Sequence, residues 1–143
     1  MDIRFSLVLP REALSVPVIR QVLGDALRTL GADEEGVTDI LVAISEACTN
    51  VVDHAAHTDS YEVVVCINDR QCLVTVLDSG NGFDPAVLGP LPDRLDDETG
   101  RGIELMRALV DDVAFEDGAE GGTVVHLHKK LGWRGDPPLA HAS

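Results

Sequence analysis

Ser45-Glu-Ala-Cys-Thr-Asn-Val-Val-Asp-His54 carries two patterns at once. Cys48 and Val51 continue an apolar stripe of Val37, Leu41, Ile44, Cys48, Val51 and Ala55, at steps of three and four. That spacing predicts a helix from the charged turn Asp33-Glu-Glu35 to about His57. Glu46, Asn50, Asp53 and His57 fall on a separate polar stripe of the same helix, with His54 beside them. A solvated face would read the same way. A carboxylate and a carboxamide one turn apart can also do more, because an amide oxygen can ligate Mg²⁺ while the carboxylate takes a proton beside it.

Working outward, the N-terminal side holds a partly alternating run from Ile3 to Leu9, closed by Pro10, which predicts a strand. A helix is predicted from about Ala13 to Leu30. Its apolar positions Leu14, Val18, Val22, Ala26 and Leu30 recur at helical spacing, Pro17 lies in its first turn and Gly31 stops it. On the other side, Tyr61–Ile67 and Leu73–Leu77 are β-rich and flank Asn68-Asp-Arg-Gln71, a tight hairpin. Residues 79–100 contain too much Gly and Pro for a regular element and carry the acidic run Asp93 to Glu98, with Arg94 inside it. A loop of that length in a small domain is usually functional or mobile. Ile103–Val110 predicts a helix, Asp112–Phe115 a strand, Gly121-Gly-Thr123 a turn and Val124–His128 a last strand. Strand, two helices, hairpin, long loop, helix and hairpin make an α+β two-layer sandwich, a mostly antiparallel sheet with helices on one face.

The 143 residues suffice for one domain with a sizeable core. We expect that domain over residues 1–131 and a frayed tail over 132–143. Hydrophobic residues make up 45% of the chain and aromatic ones 3%, so the core is aliphatic and lacks stacking platforms for single-stranded nucleic acid. The formal charge of −14 opposes nucleic acid and anionic membranes as partners and favours a basic protein surface. A phosphorylated ligand must then be held by backbone amides, a metal ion and one or two basic side chains. No signal-like or membrane-spanning run is present, and the odd set Cys48, Cys66 and Cys72 reads as reduced thiols, so a cytoplasmic protein is expected.

Two further segments bear on chemistry. Asp78-Ser-Gly-Asn-Gly82 follows a strand: the carboxylate can accept hydrogen bonds from an amine such as that of adenine, while Gly80 and Gly82 let the backbone approach a ligand closely. Gly100-Arg-Gly102 reads as a glycine turn opening a helix at Ile103, where free amides can receive phosphate. Each segment alone also fits an ordinary turn or helix cap. All three lie, in order, on the helix, strand end and loop-to-helix junction that one nucleotide site would need.

As a set they resemble the GHKL ATPase superfamily. Glu46 to His54 is similar to its N box, Asp78 to Gly82 to its first glycine box, Gly100 to Gly102 to its second, and Thr123 to the late threonine that follows glycine. Ser45 to His54 and Gly100 to Asp112 most resemble the stand-alone anti-sigma-factor serine/threonine kinases of bacteria. The resemblance implies the Bergerat fold, the histidine-kinase-like ATPase fold. It implies bound ATP and Mg²⁺, phosphorylation of a STAS-domain anti-anti-sigma protein, sequestration of a sigma factor, and a homodimer.

Carried over by position, Glu46 would be the general base and Asn50 the Mg²⁺ ligand, with His54 near phosphate. Asp78 would read the adenine amine, with Gly80 and Gly82 against the nucleotide. Gly100, Arg101, Gly102 and the amide at Ile103 would wrap the phosphates, and Thr123 would support the adenine pocket. The competing expectation is a non-catalytic ATP-binding module that acts by stoichiometric capture of a partner.

Overall fold

The computed structural model describes residues 2–54, 59–68, 70–78, 97–117 and 123–133. Among these residues, five strands and three helices follow the predicted order: β1 (Ile3–Pro10), α1 (Ser15–Leu30), α2 (Glu34–His54), β2 (Ser60–Ile67), β3 (Gln71–Asp78), α3 (Asp97–Leu109), β4 (Asp112–Asp117) and β5 (Thr123–Lys130). The strands form one sheet in the order β1-β2-β3-β5-β4, and every described neighbour is antiparallel.

Strand alternation gives the sheet two unlike faces. Val63, Val65, Val74, Val76 and Leu127 point to one face and are completely or almost completely buried. They meet Ile40, Ile44, Cys48 and Val51 of α2 and Ile103 and Met106 of α3 in a single aliphatic core. Helices cover that face alone among the described residues, which is the expected two-layer sandwich.

Local chemistry sets the element ends. Gly31 stops α1 at φ 93°, a left-handed conformation that glycine adopts without a Cβ penalty. Asp33 caps α2, its Oδ1 accepting from the Gly36 amide at 2.9 Å. Asn68 tightens the β2–β3 turn, its Oδ1 accepting from the Arg70 and Gln71 amides.

Three expectations are corrected. On α1 the buried stripe is Ile19, Leu23 and Leu27, whereas Leu14, Val18 and Val22 are exposed at 76%, 48% and 36%. The two stripes have equal spacing and sit about 100° apart on the helix, one residue out of step. The one with larger side chains removes more apolar area from water and wins the core.

The third helix starts at Asp97, not Ile103, so Gly100-Arg-Gly102 lies inside its first two turns. Two helical glycines cost about 1 kcal/mol each against alanine; burial of Ile103 and Met106 offsets this. Finally, Gly132 and Trp133, expected in the tail, are tied to the domain. The Asp33 amide donates to Gly132 O at 2.8 Å, and Ala32 and Trp133 form a β-bridge. Residues 55–58, the loop 79–96 with Gly80, Gly82 and Arg94, the glycines Gly121 and Gly122, and residues 134–143 lie outside the described residues.

Candidate nucleotide site

The site is built on the packing of α2 against α3. Both helices turn an apolar stripe to the sheet, and where they meet each other small side chains set the approach. Gly102 is buried at this contact, and a Cβ placed on it would stand 3.0 Å from Glu46 Oε2 and 3.8 Å from Asn50 Oδ1. Only a glycine leaves both polar groups undisturbed there. Two segments separated by more than fifty residues, which the sequence pattern could only align in order, are thereby brought to one place.

Asn50 is 7% exposed although it belongs to the polar stripe of α2, while Glu46 is half-buried and Asp53 exposed. A buried carboxamide needs hydrogen-bonding or ligand partners to offset its desolvation. His54 ends α2, and the backbone of Gly100 and Arg101 is helical; their side chains lie outside the described residues.

Asp78 closes β3 with its side chain 2% exposed, on the same face as Val74 and Val76. In the β3–β5 ladder its Cα partner is Thr123. The backbones of Asp78 and Thr123 thus lie opposite each other on two central strands, over which α2 also packs. That register is set by the pairing of Val74 with Leu127 and Val76 with Val125, and a slip of one residue would turn every core side chain of β5 outward.

Among the described residues no cluster of three or more His, Cys, Asp or Glu could hold a metal by itself. The donor set at Asn50 suits Mg²⁺ of another kind, an ion that keeps water and takes one or two protein oxygens together with substrate phosphates.

Several supporting residues left no local signal in the sequence. Ser15 Oγ donates to Glu12 O at 2.7 Å and lies 2.5 Å from the Tyr61 hydroxyl. With the Ser15 proton committed to Glu12 O, the Tyr61 O–H is the donor to Ser15 Oγ. Cys48 is fully buried in the core on the helical turn between Glu46 and Asn50. Burial pushes its thiol up to about 12, keeping it neutral and unreactive.

Arg11 Nη1 donates to Val52 O at 3.1 Å, satisfying a carbonyl in the last turn of α2. Lys129 on β5 joins Asp39 of α2 at 3.2 Å and donates to Leu109 O at the end of α3 at 2.8 Å, fixing both site helices to the sheet. These pairs are 20 to 90 residues apart in the chain, so no window of sequence contains them.

Comparison with known proteins shows the family. The pattern that defines the histidine kinase-like ATPase domain matches residues 9–129. Serine-protein kinases RsbW from Bacillus cereus and Bacillus anthracis are 30% identical over 132 residues, covering 85% of this chain and 82% of theirs. Among solved structures, the RsbU and RsbW domains of Rv1364c from Mycobacterium tuberculosis superpose with a TM-score of 0.69 at 25% identity. That match covers 90% of this chain and 32% of the longer one. The SiaB-SiaC complex from Pseudomonas aeruginosa contains a chain similar in fold, with a TM-score of 0.59 at 12% identity over 88% of this chain and 89% of that one.

Proposed function

Because this chain belongs to the histidine kinase-like ATPase domain family and has serine-protein kinases RsbW among its relatives, we propose that it phosphorylates a serine or threonine of a STAS-domain anti-anti-sigma protein. We propose further that it is an anti-sigma factor that sequesters a sigma factor, works in the cytoplasm and acts as a homodimer. The observation that carries the kinase reading is the seating of Gly102 against Glu46 and Asn50. Binding of a nucleotide needs no carboxylate at that point, whereas transfer of a phosphoryl group to a hydroxyl does.

In this reading Glu46 accepts the proton of the incoming hydroxyl as its oxygen bonds to the γ-phosphorus and the bond to the β-phosphate oxygen breaks. Asn50 would hold Mg²⁺ through its amide oxygen, and that ion would supply charge neutralisation for the phosphates. Asp78, with Thr123 opposite, accepts hydrogen bonds from the adenine amine. Gly80 and Gly82 sit against the nucleotide. The backbone of Gly100, Arg101, Gly102 and Ile103, with His54 and the Arg101 side chain, surrounds the phosphates.

Incubating the protein with Mg²⁺, ATP and STAS-domain proteins, followed by intact-mass spectrometry, tests this directly. One added phosphate on one partner, absent with Glu46→Ala although that variant still binds ATP, is the expected result. A regulatory effect that survives Glu46→Ala intact would replace the kinase with a capture module.

A further inference from the structure

β5 departs from its own pattern near its end. Val125, Leu127 and Lys129 share the face that turns to the helices, and the first two are buried in the core, so the third position is one for a hydrophobe. The lysine side chain there is 17% exposed, and its ammonium is paired twice. It meets Asp39 Oδ2 of α2 at 3.2 Å and donates to the carbonyl of Leu109, the last residue of α3, at 2.8 Å. A charge held that far into the protein costs desolvation that an aliphatic side chain would not. Departures of this kind gather where function needs them.

Both partners of Lys129 stand one heptad from the candidate site. On α2, Asp39 precedes Glu46 by seven residues, and on α3, Leu109 follows Gly102 by seven. Seven residues are about two helical turns, so within each helix the two positions share a face and lie about 10 Å apart along the axis. Their order is reversed between the helices, which makes α2 and α3 an antiparallel pair with two supports. One support is the seating of Gly102 against Glu46 and Asn50. The other is the Lys129 clamp. The turn after α3 is bound to β5 as well, by the Asp111 amide donating to His128 O at 2.8 Å and the Lys130 amide donating to Asp111 Oδ2 at 2.5 Å. Those two bonds do not reach α2, and the ammonium does.

We propose that Lys129 is a positioning residue for phosphoryl transfer, fixing the spacing and crossing of α2 and α3 that the Gly102 contact alone leaves adjustable. The inference rests on the kinase reading above and names a residue which that reading does not use. In that reading the proton acceptor, the metal ligand and the backbone around the phosphates lie on α2 and α3, whereas Asp78 and Thr123 lie on β3 and β5. Loss of the clamp lets the first group shift and leaves the second in place. Transfer of phosphate then falls while affinity for the nucleotide changes little.

Lys129→Met keeps the length of the side chain and removes its charge. With the STAS-domain partner found by mass spectrometry, and at saturating Mg-ATP, it is expected to lower kcat about tenfold while the Kd for ADP stays within about threefold of the parent. Lys129→Arg, which can still donate to both oxygens, is expected to recover part of the rate. Lys129→Met combined with Asp39→Leu replaces the ion pair by apolar groups. That variant is expected to melt close to the temperature of the parent yet stay slow, a combination that a merely structural role does not produce. Amide hydrogen exchange of the ligand-free protein gives a readout apart from activity: in Lys129→Met, residues 103–109 are expected to exchange about tenfold faster.

A folded Lys129→Met with the kcat of the parent would overturn the proposal and leave the kinase reading. So would a combined variant in which rate returns together with stability, and that variant decides the matter if Lys129→Met alone does not fold. A lost rate with unaltered exchange in α3 would mean that Lys129 does not act by holding the helices, and would also overturn it. A parent protein that transfers no phosphate would overturn the kinase reading and the proposal together.

Discussion

Gly102 shows how closely stability and chemistry can part company at one position. Alanine there gains up to about 1 kcal/mol of helix propensity. Its Cβ, however, would press on Glu46 Oε2 at 3.0 Å, and a flexible carboxylate end can yield without unfolding anything. Gly102→Ala is therefore expected to melt at or above the temperature of the parent while losing about tenfold in phosphate transfer, since small misplacements of a reacting group are costly. Thermal unfolding and a steady-state kinase assay on one preparation would check both halves. Gly102→Val, with two more carbons at a buried contact, is expected to lose stability as well.

Arg11 illustrates a second kind of residue, one that acts through the end of an element. The last carbonyls of α2 have no partner within the helix, and the Arg11 guanidinium satisfies the one at Val52, two residues from both Asn50 and His54. Arg11→Ala is expected to lower stability by about 1–2 kcal/mol and to weaken ATP binding several-fold, with partial recovery in Arg11→Lys. Denaturant unfolding and nucleotide titration would measure both; an unchanged affinity would make the contact purely structural.

The helix stripe of α2 and the strand alternations were legible in the sequence because burial at periods near 3.6 and 2 decides them locally. The buried stripe of α1 was not, because two apolar stripes of equal spacing compete there and periodicity does not rank them; side-chain size does. The start of α3 was also hidden: its glycines signal a break, and the packing that overrides them comes from a helix fifty residues away. For the site, Glu46, Asn50 and Asp78 could be named from residue type and order. Arg11, Tyr61 and Lys129 could not, since each acts on a partner remote in the chain.

The whole molecule should be sensitive to alkali. Burial pushes the Cys48 and Cys72 thiols from 9.0 up to about 12 and also raises the Tyr61 hydroxyl. Groups whose folded values are raised contribute fully below the unfolded value, and that contribution falls as pH climbs from 9 towards 12. With both thiols acting, unfolding free energy is expected to drop by about 2 kcal/mol between about pH 9 and pH 10. Urea unfolding at the two values measures it, and Cys48→Ala with Cys72→Ala should flatten the slope. A parent protein with no loss over that interval would mean the thiols are as accessible to ionisation folded as unfolded.

β5 is the last of the described strands, yet it lies between β3 and β4 in the sheet and carries Thr123 opposite Asp78. On a ribosome, a chain stopped before residue 123 can pair β1, β2 and β3 but leaves the inner edge of β3 open and β4 without a neighbour. Thr123, opposite Asp78, and the Lys129 anchor of both helices arrive only with β5. Until then the bare edge of β3 is the part of the molecule most in need of a chaperone.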